Sequence, residues 1–379
     1  MKILWMTWKD FDNPHAGGAE LINEEIAKRL TRDGHEVILI TARFNGAQSE
    51  IEKDGYKIIR LGNRYTVYWQ AYRYYKKKLQ GWADLVIDEM NTIPFFCKWY
   101  VKEENIILSY QLCREIWFYQ LHFPFSLIGY ILEPIYLRML NDRFVITESQ
   151  SAKLDMMRFG FKKENIAVIP VGISLTPVNS LIEVVKYPNP TVLSLGSFRP
   201  MKRTLDQIRA FELAKKSIPN LQLKIAGSAL DSYGAKILNY LANHKYKKDI
   251  EYLGRISDYE KKELMQKSHV ILVTSKKEGW GLIVTEANSQ GTPAIVYEAD
   301  GLRDSVKNKI TGIICEENTP ENMASKIQIQ FSSPKKYREL QENAWKWSKE
   351  LTFETCYHNF LEALIEFKKT ALSSPIKES

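Results

Sequence analysis

Short β-branched runs alternate with longer amphipathic stretches along the whole chain, and this alternation limits the fold more than any single motif. Such runs, separated by helical segments, build βαβ units around a parallel sheet. In the first half, strands are predicted at 2–7, 36–41, 57–61, 85–88, 106–109, 144–147 and 167–169. The helix predicted over 19–30 places Leu21, Ile22, Ile26, Ala27 and Leu30 on one face and stops near Asp33-Gly34. The rhythm breaks between Ile173 and Pro190, where Pro177, Pro188 and Pro190 punctuate a stretch without period, the expected linker. It then restarts, with strands predicted at 191–195, 221–226, 250–253, 269–273, 293–297 and 312–314. Beyond Pro320 the pattern is helical to about Lys369, followed by a polar tail over 370–379. The expected fold class is therefore α/β, with two Rossmann-like, doubly wound parallel-sheet domains facing a central cleft. The first covers residues 1–175 and the second 188–352. A length of 379 residues suits that division. Ligands of such sheets bind outside the carboxyl ends of the strands.

Composition removes several alternatives. With 45% hydrophobic and 26% charged residues, the chain is globular rather than disordered or fibrous. Cys97, Cys113, Cys315 and Cys356 are scattered without CxxC spacing, which argues against a disulfide scaffold or zinc ribbon and for a reducing compartment. The formal charge of +8 favours anionic partners without choosing among them. The apolar run Ile3–Trp8 is too short for a signal peptide, and no stretch reaches the length of a spanning helix. The expected location is cytoplasmic, at most peripheral on the inner face of a membrane.

Three loops carry residues suited to chemistry. Trp8–Gly18 leaves the first strand and enters a helix through Gly17-Gly18-Ala19-Glu20, where backbone amides and the helix N-terminus favour an anion. It matches neither GxGxxG nor a Walker loop, and a tight turn explains the glycine pair as well. Asp10 and Asp12 have the spacing of a metal-binding pair, but a solvated loop accounts for them equally. The second loop, Gly196-Ser197-Phe198-Arg199-Pro200-Met201-Lys202-Arg203, sets three cations within five residues, enough to neutralise a diphosphate or simply a basic turn. The third, Glu278-Gly279-Trp280-Gly281-Leu282-Ile283-Val284-Thr285-Glu286-Ala287, follows a buried strand and opens a helix. It thus offers a helix N-terminus to a phosphate, with a carboxylate on each side to accept hydroxyl hydrogen bonds.

Glu278 and Glu286, eight apart and closing in Glu-Ala, resemble the signature of the retaining glycosyltransferases of family 4, which have the GT-B fold. The resemblance runs along nearly the whole chain, through Gly17-Gly18-Ala19-Glu20, Ile169-Pro170-Val171-Gly172-Ile173, Gly196 to Lys202, Gly227, Gly254, Gly291-Thr292-Pro293 and Asp300-Gly301. It implies a nucleotide-diphosphate-sugar donor on the second domain, an acceptor on the first, and no metal or other cofactor. By match to the motif, Glu278 contacts the donor sugar, Glu286 the ribose and Lys202 the diphosphate, with Gly17 and Gly18 amides closing on it. Arg255 and Ile256 border the base, and Gly279, Trp280, Gly281 and Leu282 line the donor. The family's C-terminal helix returns to the first domain, a role that falls to 353–379. Two departures stand out. Ser197 occupies the place of the family's arginine, leaving Arg199 as its substitute, and the acceptor-side loop reads Gln111-Leu112-Cys113-Arg114-Glu115 where a histidine is common. His15, Gln111, Arg114 and Glu115 are the acceptor-side candidates, with His122 nearby. A nucleotide-sugar-acting epimerase or hydrolase of the same fold, or a non-catalytic sugar- or nucleic-acid-binding protein, are the alternatives.

Two stretches of the first domain are unusually apolar and aromatic. Tyr65–Tyr75 is followed by Lys76-Lys77-Lys78, and Trp117–Leu140 is nearly apolar and interrupted by Pro124 and Pro134. Aromatics beside cations fit an anionic membrane surface and a lipid-linked acceptor; they also fit helices packed on a sheet, or an aromatic sugar platform. Nucleic acid is not an expected partner, since no helix-turn-helix, zinc-finger or RNP pattern is present.

Overall fold

The computed structural model describes the backbone of residues 1–373 and side chains through Thr370; the rest of the expected polar tail, 374–379, lies outside the described residues. The chain divides into two compact units, one formed by Met1–Gly172 together with the segment from Phe353 onward, the other by Ile173–Thr352.

Unit one holds an eight-stranded sheet: β1 (Lys2–Met6), β2 (Glu36–Ala42), β3 (Glu50–Lys53), β4 (Tyr56–Leu61), β5 (Leu85–Glu89), β6 (Asn105–Leu108), β7 (Val145–Thr147) and β8 (Ile166–Val168). Their order is β3-β4-β2-β1-β5-β6-β7-β8, parallel throughout except for β3 against β4. The central strands are apolar runs because both sheet faces are covered. Leu4 and Met6 share one face with Val86 and Ile107, under the helix Val67–Tyr74 and the helix Phe125–Leu140. Trp5 points to the opposite face and stacks on Phe360 of the C-terminal helix Phe353–Ser373. That helix is tied to unit one by Glu354, which pairs with Arg29 and Arg32 of the helix Gly18–Arg32.

Unit two holds β9 (Thr191–Leu195), β10 (Gln222–Ala226), β11 (Ile250–Tyr252), β12 (Val270–Val273), β13 (Ala294–Val296) and β14 (Gly312–Ile314). The order β11-β10-β9-β12-β13-β14 is parallel throughout, and the winding reverses between β9 and β12 as it does between β1 and β5 in unit one.

Three differences from the sequence reading have local causes. β3, absent from the expected strands, is the edge of a hairpin closed by Asp54-Gly55, both at positive φ, and two-residue turns of that composition favour hairpins. The stretch expected as a linker is part of unit two. There the buried Lys186 ammonium donates to the carbonyls of Gln266, Ser268 and Gly291 and to Thr292 Oγ1, and burial lowers its pKa to about 7. The helix Phe125–Leu140 runs unbroken through Pro134. A proline at that position leaves the carbonyl four residues earlier without its helical donor, and the Arg114 guanidinium supplies one to Tyr130 O at 3.2 Å.

Candidate functional site

The reversal between β9 and β12 brings the second and third sequence loops together. β9 runs into Gly196, whose φ of +139° suits glycine. Gly227, after β10, lies so close that a Cβ there would sit 1.9 Å from the Gly196 carbonyl oxygen. Two backbone bonds lock this pair: Gly196 N–H donates to Ala226 O, and Gly227 N–H donates to Gly254 O. The chain then turns through Pro200–Lys202 into the helix Thr204–Lys215. The Thr274 hydroxyl, beyond β12, donates to Lys202 O at 2.8 Å, and Lys276 N–H donates to Met201 O at 2.8 Å.

These ties set Lys202 Nζ 2.5 Å from Glu278 Oε1. Glu278 is itself fixed by its backbone N–H to Asp300 O, and Gly301, at φ +77°, must be glycine because a Cβ would meet Glu278 O at 2.3 Å. Gly279, Trp280 and Gly281 form the turn into the helix Leu282–Ser289. Gly281 is its left-handed N-cap, and the Trp280 ring is buried beside Trp347. Glu286 lies within that helix and is buried. Its Oε1 accepts the Ser174 hydroxyl at 2.9 Å and its Oε2 pairs with Lys261 at 2.6 Å. Nothing in the local sequence around Glu286 points to Ser174 or Lys261, since both reach it through tertiary folding.

The three cations of the second loop separate. Lys202 meets Glu278 and Arg199 is exposed, whereas Arg203 turns onto Asp206 at 2.7 Å and the Tyr297 ring at 4.9 Å. Ser197 Oγ accepts the Ser228 hydroxyl at 3.2 Å. Arg255 is exposed and Ile256 half-buried in the loop between β11 and the helix Asp258–Lys267.

In unit one, Gly17 caps the helix Gly18–Arg32, and its N–H is taken by Glu20 Oε2 at 2.6 Å, while Glu20 Oε1 pairs with Lys9 at 3.1 Å. Asp10 is buried and bidentate to Arg60, with both contacts at 2.9 Å; Asp12 meets Arg60 at 2.7 Å and Lys53 at 2.6 Å. The acidic pair thus folds its own loop. Burial would raise the Asp12 pKa, but Lys53 and Arg60 outweigh it and lower the value. Among the described residues no group of three or more His, Cys, Asp or Glu side chains is arranged to hold a metal ion.

Of the acceptor-side candidates, His15 and Glu115 are exposed and Gln111 is half-buried. Arg114 is held against the Tyr130 ring at 4.3 Å, so it braces the helix Phe125–Leu140. Its neighbourhood is organised by Glu133, a residue that sequence reasoning passed over. The Glu133 carboxylate accepts the N–H groups of Cys113 and Arg114 and the Trp117 indole N–H at 2.7, 2.6 and 3.0 Å. A second unforeseen group is Glu89, at the carboxyl end of β5. It accepts Trp5 Nε1 at 3.0 Å and Asn23 Nδ2 at 2.7 Å, and burial, with the nearby Glu20 charge, raises its pKa to about 8.

Two doubly wound parallel-sheet units in one chain are the architecture of GT-B proteins, and the solved structures it resembles have that fold. Among solved structures, the sucrose-phosphate synthase of Thermosynechococcus elongatus superposes with a TM-score of 0.76 at 19% identity, covering 98% of this chain and 100% of that one. Alr3699/HepE of Anabaena, solved in complex with UDP-glucose, gives 0.72 at 16% identity over 96% and 99%. The family pattern described as glycosyl transferases group 1 matches residues 183–347, and that of glycosyltransferase family 4 matches 16–176. An uncharacterized glycosyltransferase of Haemophilus influenzae is 22% identical over 89% of this chain and 94% of its own length. The chain belongs to the group 1 glycosyltransferases, and its activity is sugar transfer.

Proposed function

We propose that the chain is a retaining, metal-independent glycosyltransferase that moves a sugar from a nucleotide-diphosphate donor to an acceptor hydroxyl. The observation that carries this reading is the Lys202–Glu278 pair at the winding reversal of unit two, beside the N-terminus of the helix Leu282–Ser289. The Anabaena neighbour, solved in complex with UDP-glucose, supports a nucleotide-sugar as donor. Two lysine–carboxylate contacts hold the site, and each exchanges on donor binding. Lys202 passes from Glu278 to the diphosphate, freeing Glu278 to accept sugar hydroxyls. Glu286 accepts a ribose hydroxyl in place of one of its two present donors. Arg199 supplies a second cation where Ser197 supplies none.

Breaking the bond between the anomeric carbon and the phosphate oxygen leaves negative charge on the diphosphate and oxocarbenium character on the sugar. Fixed cations and a helix N-terminus aimed at the leaving group stabilise that charge without reorganising. The acceptor oxygen bonds to the anomeric carbon on the departing face, and its proton goes to the leaving phosphate oxygen. No side chain is therefore assigned as covalent nucleophile.

The test is a thermal-shift panel of UDP, GDP, ADP, dTDP and their sugars with EDTA present, since a ligand bound to the native state raises its stability. One selective shift supports a metal-free donor site and identifies the base. Proton NMR of the product then reads the anomer. Inversion, or donor turnover that ignores the acceptor, overturns the reading.

A further inference from the structure

The helix Phe125–Leu140 lacks the polar outer face of an ordinary surface helix. Seven of its eight exposed side chains are apolar, among them Phe125, Ile128, Ile131, Leu132, Ile135 and Met139; the eighth is Arg138. Its inner face carries Ser126, Gly129 and the Glu133 carboxylate in its first half and packs Tyr136, Leu137 and Leu140 in its second. Surface helices place their polar side outward, so burial against the sheet does not account for this sequence. Nor is the helix free to roll. Glu133 is held by three N–H donors, Tyr130 O by Arg114, and a Cβ on Gly129 would lie 2.5 Å from the Trp117 ring. The apolar ridge is locked outward, and Phe123, 79% exposed, extends it at its N-terminal end.

The ridge continues into a basic, aromatic border on the same side of the unit-one sheet. Lys98 Nζ donates to Met139 O, and Phe96 packs between Tyr136 and Trp99. Tyr100, in the same segment, meets Tyr72 and Tyr75. The helix carrying those tyrosines exposes Trp69, Arg73, Lys76, Lys77 and Lys78. Half-exposed tryptophans beside cations are the pattern of a bilayer interface, where the ring sits at headgroup depth and the ammonium meets lipid phosphate. A 16-residue helix is about 24 Å long, too short to span but long enough to lie in the interfacial plane. Among the described residues no helix is long and apolar enough to cross a membrane. Two copies of the chain meeting through this face would bring the Lys76–Lys78 runs toward each other in a protein of charge +8, which disfavours a self-dimer.

We propose that the outer face of Phe125–Leu140, with its Lys76–Lys78 and Trp99 border, docks unit one on an anionic lipid bilayer. The test is co-sedimentation with vesicles of phosphatidylcholine alone or mixed with phosphatidylglycerol, at low and physiological salt. The wild-type chain pellets with the anionic vesicles. The double variant Ile131→Asp/Ile135→Asp, at exposed positions and with an unchanged melting curve, loses about a hundredfold in partitioning because two apolar side chains no longer enter the interface. The triple variant K76Q/K77Q/K78Q loses about tenfold or more, with a weaker salt dependence. Absence of pelleting at low salt overturns the proposal, as does equal pelleting of the Asp variant. A concentration-dependent dimer abolished by the Asp pair would assign the face to a second copy instead. None of these readouts needs sugar transfer, so their failure leaves the transferase reading standing.

Discussion

The loop leaving β1 and the loop leaving β9 hold the same place in two sheets wound the same way, yet their charges are used differently. After β1, Asp10, Asp12, Lys9 and Glu20 are all engaged, with Arg60 and Lys53 completing the set, and Asp10 and Glu20 are buried. After β9, close-packed glycines leave Lys202 facing Glu278 across the reversal and Arg199 exposed. Charge in the first loop is structural. In the second it is held in a partly exposed pair. The comparison shows that a shared winding sets where a ligand can bind, while neighbouring partners decide whether a loop's charges remain available to it.

The largest expected effect tests the structural side. Arg60→Ala leaves Asp10 buried without its partner, and breaking a buried pair costs about 3–5 kcal/mol. Urea unfolding reads this directly, and a loss below about 1 kcal/mol would erase the contrast between the loops. On the ligand side, Lys202→Ala is expected to lower turnover about 100- to 1000-fold with the melting temperature little changed, the scale of one preorganised donor. Glu286→Ala should instead raise the donor KM, and rates unchanged in both variants would remove the site assignment.

A third prediction concerns Glu89. Its folded pKa of about 8 lies above the ordinary carboxylate range, so between those limits the folded state holds a proton that the unfolded state has released. Its contribution is complete in acid and is lost as pH rises through the folded value. Stability should fall by about 1–3 kcal/mol between pH 5 and 8, and Glu89→Gln should flatten that slope. The smallest effect is expected for Lys261→Met, which frees Glu286 from its ammonium partner. Donor affinity should rise about threefold by calorimetry, since a partly exposed ion pair contributes little. A large loss of affinity would mean that Lys261 itself touches the donor.

Much of the architecture was legible because its signals are local. The predicted strands of unit two match β9 and β14 residue for residue and the others within one or two positions. Glu278 falls in the loop before a helix and Glu286 inside it, as the motif spacing requires. The edge strand β3 escaped because Glu-Ile-Glu-Lys has no apolar face, although Asp54-Gly55 carried a turn signal. Pro134 reads as a break in sequence; the donor that compensates for it is Arg114, sixteen residues before the Tyr130 carbonyl it meets.

By itself the sequence determined two α/β windings, the reversal points where ligands collect, and the glycines and carboxylates that belong there. Hydrophobic period and turn chemistry act over a few residues and are written in consecutive positions. Only the tertiary structure decided that Lys202 faces Glu278, that Lys261 holds Glu286, that Asp10 is committed to Arg60 and that an apolar helix turns its greasy side outward. Those outcomes depend on partners far apart along the chain, and on which polar groups find a buried hydrogen-bond partner once the sheets are packed.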